Sequence, residues 1–82
     1  MKQLYIFARP VQMIVIQLQE KDKVLESTNC SFNDTINYVQ KYLKNYNDIE
    51  TIIVVGQTEY TDKMEQLVKT NFQGSVNIER IS

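Results

Sequence analysis

The chain has 82 residues, of which 43% are hydrophobic and 23% charged, with a formal net charge of −1 and no histidine. These values are typical of a single small globular domain spanning residues 1–82, and they exclude collagen-like, disulfide-scaffold and wholly disordered classes. Lysine and arginine are scattered from Lys2 to Arg80 without a basic block. This disfavours binding to duplex DNA, which depends on clustered cations that release counterions from phosphates.

The content of histidine and cysteine limits the chemistry of the chain. Cys30 is the only cysteine, which excludes an internal disulfide and is typical of a reducing compartment. With no histidine to activate it, Cys30 is interpreted as a small half-buried apolar residue. Catalytic triads, Cys-His chemistry and histidine-based metal sites are disfavoured on the same ground. We therefore expect a non-enzymatic protein with no catalytic residue, metal or cofactor.

Targeting signals are not recognised near the start of the sequence. Arg9 and Pro10 interrupt the apolar segment, and the uncharged run from Pro10 to Gln19 is about half the ~20 residues that span a bilayer. No small-residue cleavage site follows. We expect a cytoplasmic protein without a membrane partner, and the abundance of Asn, Ile, Lys and Tyr favours an AT-rich bacterial or phage genome.

The first third of the chain predicts three antiparallel strands. Residues 3–8 are rich in aromatic and branched side chains and stop before Pro10, which lacks a backbone donor. Residues 12–19 alternate with period 2, which predicts a second strand. The charged connection at 20–23 is too short for a crossover, so residues 24–30 should return antiparallel to the second strand.

A helix is predicted over residues 32–46. Ser31 and Asp34 resemble a capping box with the shorter acid, and Asn45 and Asn47 offer a left-handed stop. The apolar stripe recurs at spacings of four, three, four and three: Phe32, Ile36, Val39, Leu43 and Tyr46.

The last third predicts a strand, a helix and a strand. The run without alternation at 51–56 is typical of a central strand covered on both faces. A second helix ending at Gly74 is marked by Tyr60, Met64, Leu67, Val68 and Phe72. Residues 76–81 form the last strand, parallel to and beside the strand at 51–56. The predicted fold is α+β or α/β, a single mixed sheet with element order βββαβαβ and two packed helices, which lie either on one face or on both.

This element order is similar to that of the ribonuclease H-like superfold, a resemblance that covers nearly the whole chain but includes no motif. Nucleases of that superfold carry acidic residues on the first strand, on the first helix and at the end of the fourth strand. Here the first strand reads LYIFA and the fourth ends in Val55-Gly56-Gln57. The resemblance therefore implies the fold without the metal site, and Asp34 and Asp62 are interpreted as cap residues.

The segment VVGQTEYTDK, residues 54–63, is the first candidate site. A strand end that leads into a helix offers free N–H groups to an anion, and the binding residues would be Gly56, Gln57, Thr58 and Tyr60. The alternative, which we favour, is structural: Gly56 permits a turn while Thr61 or Asp62 caps the helix. One glycine is too few for a P-loop.

Tyrosines on the first helix form the second candidate. With Ile36, Val39 and Leu43 in the core, rotation by 100° per residue puts Tyr46 at the core margin, Tyr42 at the boundary and Tyr38 outward. Beside Lys41, Tyr38 and Tyr42 would give a contact surface for a protein. The alternative is that their rings only pack along the helix edge.

Sheet edges are the third candidate. The last strand and one strand of the hairpin should expose unpaired backbone groups, to which a partner or a second copy would add. We therefore expect a macromolecular interaction protein that uses a helix face or a sheet edge, with an unidentified protein partner or self-association as a dimer. The alternative function is small-ligand or nucleotide binding near Gly56. A third hypothesis is single-stranded nucleic-acid binding through Tyr5 and Phe7 on the sheet face.

Overall fold

The computed structural model describes residues 1–10 and 12–82. In chain order its elements are β1 (Lys2–Ala8), β2 (Ile14–Glu20), β3 (Lys23–Cys30), a short 3-10 turn (Phe32–Asp34), α1 (Thr35–Asn45), β4 (Ile49–Gly56), α2 (Thr58–Phe72) and β5 (Asn77–Ile81). The predicted order βββαβαβ is therefore confirmed.

The strands form one mixed five-stranded sheet in the order β3-β2-β1-β4-β5. The pairs β1–β2 and β2–β3 are antiparallel, whereas β1–β4 and β4–β5 are parallel. As predicted, β4 is interior and β5 is its parallel neighbour. The central strand is β1, and the two edges are β3 and β5.

The connection between β2 and β3 is a tight turn at Lys21 and Asp22, whose φ angles are +51° and +66°. Two consecutive residues with positive φ match the right-handed twist of the flanking strands. Glu20 pairs with Lys23 directly across the turn. The charged segment therefore forms the predicted hairpin.

Both helices lie on the same face of the sheet. The hydroxyl of Tyr42 in α1 lies 3.0 Å from Thr28 Oγ1 in β3, and Asp62 in α2 pairs with Arg80 in β5. Two crossovers lead from β3 to β4 and from β4 to β5, in the same direction across the sheet. Because each such crossover is right-handed, both place their helix on one face and leave the other face open.

The core fills the layer between the sheet and the helices. The fully buried apolar side chains of this layer come from β1, β2, β4 and both helices: Leu4, Ile6, Ile14, Ile16, Leu18, Ile52, Val54, Val39, Met64 and Val68. In β4, Ile53 and Val55 alternate away from this layer and share the open face with their neighbours in β1 and β5. The prediction that this strand is covered on both faces is therefore wrong, since helices cover only one.

The helix starts differ from the predicted caps. Helix α2 begins at Thr58 with Gln57 as N-cap, so Thr61 and Asp62 already lie inside the helix. Thr61 is fully buried and its hydroxyl donates to the carbonyl of Thr58 at 3.2 Å. Asp62 instead pairs with Arg80. The predicted caps are wrong because tertiary packing draws Thr61 into the core.

The predicted start and stop signals of the first helix are both wrong. At its start the hydroxyl of Ser31 donates to the Asp34 carboxylate at 3.1 Å, and neither side chain caps a backbone N–H. At its end Tyr46 is extended, with φ −128°, so neither Asn45 nor Asn47 makes a left-handed stop. The chain leaves the helix in a conformation that leads directly towards β4.

Candidate functional site

A partly enclosed concavity lies between helix α1 and the edge strand β3, and we call it the α1–β3 groove. Its volume is about 130 Å³, and it is lined by Glu26, Thr28, Tyr38, Lys41, Tyr42, Asn45 and Tyr46. The first two residues come from β3, and the others come from α1 and its C-cap. The helix face and the sheet edge that the sequence offered as separate sites are therefore adjacent.

Tyr42 forms the floor of this groove. Its side chain is only 7% exposed, and its hydroxyl pairs with Thr28 Oγ1 at 3.0 Å. Its ring stacks on Tyr46, with centroids 6.4 Å apart and an interplanar angle of 27°. Tyr42 was predicted to lie at the boundary between the buried and exposed faces of the helix. This is wrong, because the buried face of α1 consists of Thr35, Val39 and Tyr42.

Tyr38 and Lys41 form the outer wall of the groove. Tyr38 is half-buried against the core, so the prediction that it points outward is wrong, whereas Lys41 is exposed. The two side chains also line a shallow hollow of about 340 Å³ with Asp34 and Asn37. Among the described residues Lys41 has no salt-bridge partner, so its ammonium group is available to a ligand.

Tyr46 closes one end of the groove. Its hydroxyl donates to the Glu26 carboxylate of β3, and its ring lies 5.8 Å from the ammonium of Lys2. Tyr46 lies at the margin of the core, as predicted. Glu26 and Thr28 were not recognised from sequence, because only the register of β3 against β2 sets which β3 side chains face the helix.

Beneath Tyr46, Lys2 pairs with Asp48, with 2.6 Å between Nζ and Oδ2. This hydrogen bond is the main cause that raises the pKa of Lys2 and lowers the pKa of Asp48. The pair ties the start of β1 to the residue that precedes β4.

The pH dependence of stability should reveal this pair. The Asp48 contribution is present above the ordinary aspartate pKa of about 4 and is lost as the pH falls through the lowered pKa of the folded state. The Lys2 contribution is present below the ordinary lysine pKa of about 10.4 and is lost as the pH rises through the raised value. Asp48→Asn should therefore flatten the pH profile of the unfolding free energy in both windows, measured by urea denaturation.

The matched control for this experiment is Asp22→Asn. Asp22 lies in the exposed β2–β3 turn at φ +66°, a conformation that asparagine also tolerates. Asp22 forms no salt bridge to the described part of the chain. If Asp48→Asn changed the acid and alkaline profiles no more than Asp22→Asn, the stabilising role of the Lys2 pair would be contradicted.

The segment after β4 forms a second, open hollow of about 300 Å³. It is lined by Ala8, Arg9, Pro10, Gly56, Gln57 and Tyr60. Three of the four residues predicted for an anion site thus come together, whereas Thr58 does not line the hollow. Arg9 adds a cation that the sequence reasoning did not assign, and Glu59 in the first turn of α2 adds an opposing negative charge.

Gly56 itself has a packing role in this hollow. Its φ is +148°, and a Cβ atom there would lie 2.4 Å from the carbonyl oxygen of Ala8. Real Cβ atoms do not approach backbone that closely, so the contact between the ends of β1 and β4 requires glycine. The requirement for glycine agrees with the structural interpretation, in which Gly56 permits the turn. The predicted caps do not agree, because the helix begins at Thr58.

Cys30 lies at the end of β3, half-buried beside Thr35, with 3.8 Å between Sγ and Oγ1. Burial is the main cause that raises the pKa of its thiol. A raised pKa lowers the thiolate fraction at neutral pH and with it the reactivity. The position therefore agrees with the predicted role of a small packing residue.

Comparisons with protein-family models, with curated proteins and with solved structures gave no significant match. The ribonuclease H-like resemblance and the bacterial or phage origin therefore stay predictions. In the part of the chain that the structure describes, no three His, Cys, Asp or Glu side chains converge on a metal-sized space. Neither α1 nor α2 has the length and apolar character that a bilayer-crossing helix needs.

Proposed function

We propose that this chain is a small cytoplasmic, non-enzymatic interaction module that binds an extended segment of a partner protein in the α1–β3 groove. The observation that carries this proposal is the adjacency of an unpaired strand edge and a tyrosine-lined helix face. Strand edges supply main-chain hydrogen bonds to an added segment, and a neighbouring helix supplies pockets for its side chains. Affinity and selectivity would thus come from different walls of one groove.

The strand wall is β3, which pairs with β2 on one side only. It is eight residues long, and its part from Glu26 to Cys30 is in regular register with β2, which is enough to pair with a short added strand. Glu26 and Thr28 of this strand line the groove itself, so a segment added at the edge would lie beside the tyrosines of α1. Between Leu18 and Gln19 of β2 the register shifts, and Leu25 of β3 is left as the extra, bulged residue. This restricts regular pairing to the part of β3 nearer Cys30.

The helix wall supplies the chemical selectivity. Tyr38 offers rigid area with a polar tip, a residue type that is enriched in binding hot spots. Two charged side chains, Glu26 and Lys41, line the groove. Because the Glu26 carboxylate already accepts a hydrogen bond from Tyr46, Lys41 is the charged group that is available to a ligand. The bound segment should therefore carry an apolar or aromatic side chain for the tyrosines and an acidic residue opposite Lys41.

Selection from a random library of displayed peptides tests this proposal directly. We expect the selected peptides to be extended, to contain an acidic residue, and to shift the NMR amide signals of β3 and of Tyr38. Tyr38→Ala and Lys41→Glu should each weaken their binding by about tenfold or more, since each removes a contact in the groove. Both side chains lie outside the fully buried core, so the fold should survive.

Tyr42→Ala is not a suitable test, because Tyr42 is buried and its loss would destabilise the domain. The matched control is Lys63→Glu on α2, an exposed lysine that does not line the groove. Peptides that shift other regions, or whose binding survives both groove substitutions, would contradict the proposal. Failure to select any peptide would count against it too.

The alternative, an anion or nucleotide at the hollow near Gly56, is favoured by one observation, the position of Arg9 beside the start of α2. Glu59 in the first helical turn opposes it. In calorimetric titrations we expect no saturable binding of inorganic phosphate or of nucleotides. Saturable binding that Arg9→Gln abolished would replace the groove proposal with this one.

A further inference from the structure

The open face of the sheet carries three rows of side chains that run across all five strands. The strand register aligns each row in the order β3, β2, β1, β4, β5. The apolar row is Asn29, Val15, Phe7, Val55 and Ile81; the mixed row is Ser27, Gln17, Tyr5, Ile53 and Glu79; the polar row is Val24, Gln19, Gln3, Thr51 and Asn77. No helix covers these rows.

The rows themselves carry little charge, since Glu79 is the only ionised side chain in them. Lys21 and Asp22 of the β2–β3 turn, of opposite sign, line one end of the face beside Tyr5 and Ile53. Phe7 and Tyr5 stack side by side at the centre, with ring centroids 6.1 Å apart and an interplanar angle of 18°. Ile81, in the apolar row, is 55% exposed. Phe7, Val15 and Val55 are half-buried, so each keeps part of its side chain accessible. A contiguous accessible apolar surface beside neutral polar groups is typical of an interface between proteins.

We propose that the open face binds a second copy of this chain, so that the protein forms a face-to-face homodimer. Nucleic acid is a poorer occupant, because the rows contain no lysine or arginine to meet phosphates. A strongly charged protein surface is also a poorer occupant, because it would lose hydration against neutral side chains without gaining ion pairs. An uncharged, partly apolar surface is complementary to itself, which a twofold interface requires.

The strand order makes this self-pairing regular. Because β1 is the central strand, a twofold axis parallel to β1 places β2 over β4 of the second copy and β3 over β5. Two sheets stacked in this way lie about 10 Å apart with aligned strands. The axis keeps each row over the same row of the second copy.

The resulting contacts are chemically compatible. Phe7 faces Phe7 of the second copy near the axis, and Val15 faces Val55. In the mixed row Glu79 faces the hydroxyl of Ser27 and not a second carboxylate. Glu79 therefore meets a hydrogen-bond donor, and the central apolar side chains meet each other, whereas Ile81 meets Asn29 and Ile53 meets Gln17.

The size of the face sets the expected affinity. Five strands spaced by about 4.8 Å and five residues rising by about 3.3 Å give a projected area on the order of 400 Å² per copy. This is about 800 Å² in total, below the roughly 1,200 to 2,000 Å² of stable specific interfaces and in the range of weak, transient ones. We therefore expect a reversible dimer with a dissociation constant in the micromolar range, in exchange with the monomer.

Sedimentation velocity over roughly 10 to 500 µM protein tests the proposal, since this range brackets a weak interface. We expect the mass to rise with concentration from monomer to dimer. Phe7→Glu places two carboxylates opposite each other near the axis and should weaken the dimer at least tenfold. A monomer throughout the range, or a dimer that Phe7→Glu leaves intact, would overturn the proposal.

A pair of charge variants tests the arrangement of the strands and does not depend on Phe7. Val15→Lys and Val55→Glu should each weaken the homodimer, whereas an equimolar mixture should recover a heterodimer, because position 15 of one chain faces position 55 of the other. Circular dichroism and urea denaturation check that each variant is folded. Loss of the dimer in the mixture as well would overturn the proposed axis.

The proposal is independent of the α1–β3 groove, which lies on the helix side of the sheet and at one edge. Peptide binding in the groove should therefore persist in Phe7→Glu. A single-stranded oligonucleotide that bound with strong salt dependence, and lost binding in Phe7→Glu, would show nucleic acid on this face and overturn the dimer. Absence of such binding agrees with the neutral rows.

Discussion

Alanine in place of Gly56 should lower the free energy of unfolding by about 3 to 5 kcal/mol, from backbone strain together with forced displacement of neighbouring backbone. The added Cβ atom would lie 2.4 Å from the Ala8 carbonyl oxygen, at φ +148°. That oxygen belongs to the backbone at the end of β1, so no side-chain rotation relieves the clash. Urea denaturation followed by circular dichroism measures the loss.

Gly74→Ala is the matched control. Gly74 also has positive φ, at +91°, but a Cβ atom there would meet nothing within 4 Å. Only the conformational cost remains, about 1 kcal/mol. Equal losses for the two variants would show that the close approach of β1 to Gly56 does not limit stability.

Ile52→Ala should cost about 3 to 4 kcal/mol, a typical loss for a fully buried isoleucine. Ile52 is fully buried beneath the helices, in a strand that is itself interior to the sheet. The cavity would be bounded by β4, its neighbours and the helix layer, which relax only in part. The measurement is the midpoint and slope of urea denaturation.

Ile53→Ala is the paired variant on the opposite face of the same strand. Ile53 is 8% exposed, but no helix lies over it, so water can fill the space that the lost atoms leave. We expect a loss of about 1 to 2 kcal/mol, mainly the transfer term, measured at a concentration low enough to keep the protein monomeric. A loss as large as that of Ile52→Ala would contradict a sheet covered on one face only.

Only part of the α1–β3 groove could be predicted from the sequence. Tyr38 and Lys41 could be assigned to a contact surface because helical periodicity places them outside the predicted apolar stripe. Lys41 is indeed exposed, whereas Tyr38 packs half-buried against the core. Tyr42 was assigned to the boundary, yet it is buried, since α1 is rotated so that Thr35, Val39 and Tyr42 meet the sheet. A helix with apolar residues on a wide arc allows several rotations, and the surface of the sheet selects among them.

The start of α2, after Gly56, was also not predictable from local sequence preferences. Sequence rules for caps identified Thr61 or Asp62, because threonine and aspartate are favoured N-caps. In the structure Thr61 is buried and the helix begins at Thr58. Burial of Thr61 against the end of the sheet outweighs a local preference that is worth about 1 kcal/mol.

The order of strands and helices was set by the sequence alone, because period-2 and period-3.6 patterns are local properties of the chain. Three of the four strand pairs followed from connection lengths, since short links make hairpins and helical links make parallel neighbours. The parallel pairing of β1 with β4, which sets the order of the whole sheet, did not follow from them. Only the tertiary structure decided which face the helices cover. Both crossovers run in one direction across the sheet, so their common handedness gathers α1 and α2 on one side. That arrangement brings α1 beside the edge of β3 and leaves Phe7 and its row without a helix over them, and no local pattern contains this information.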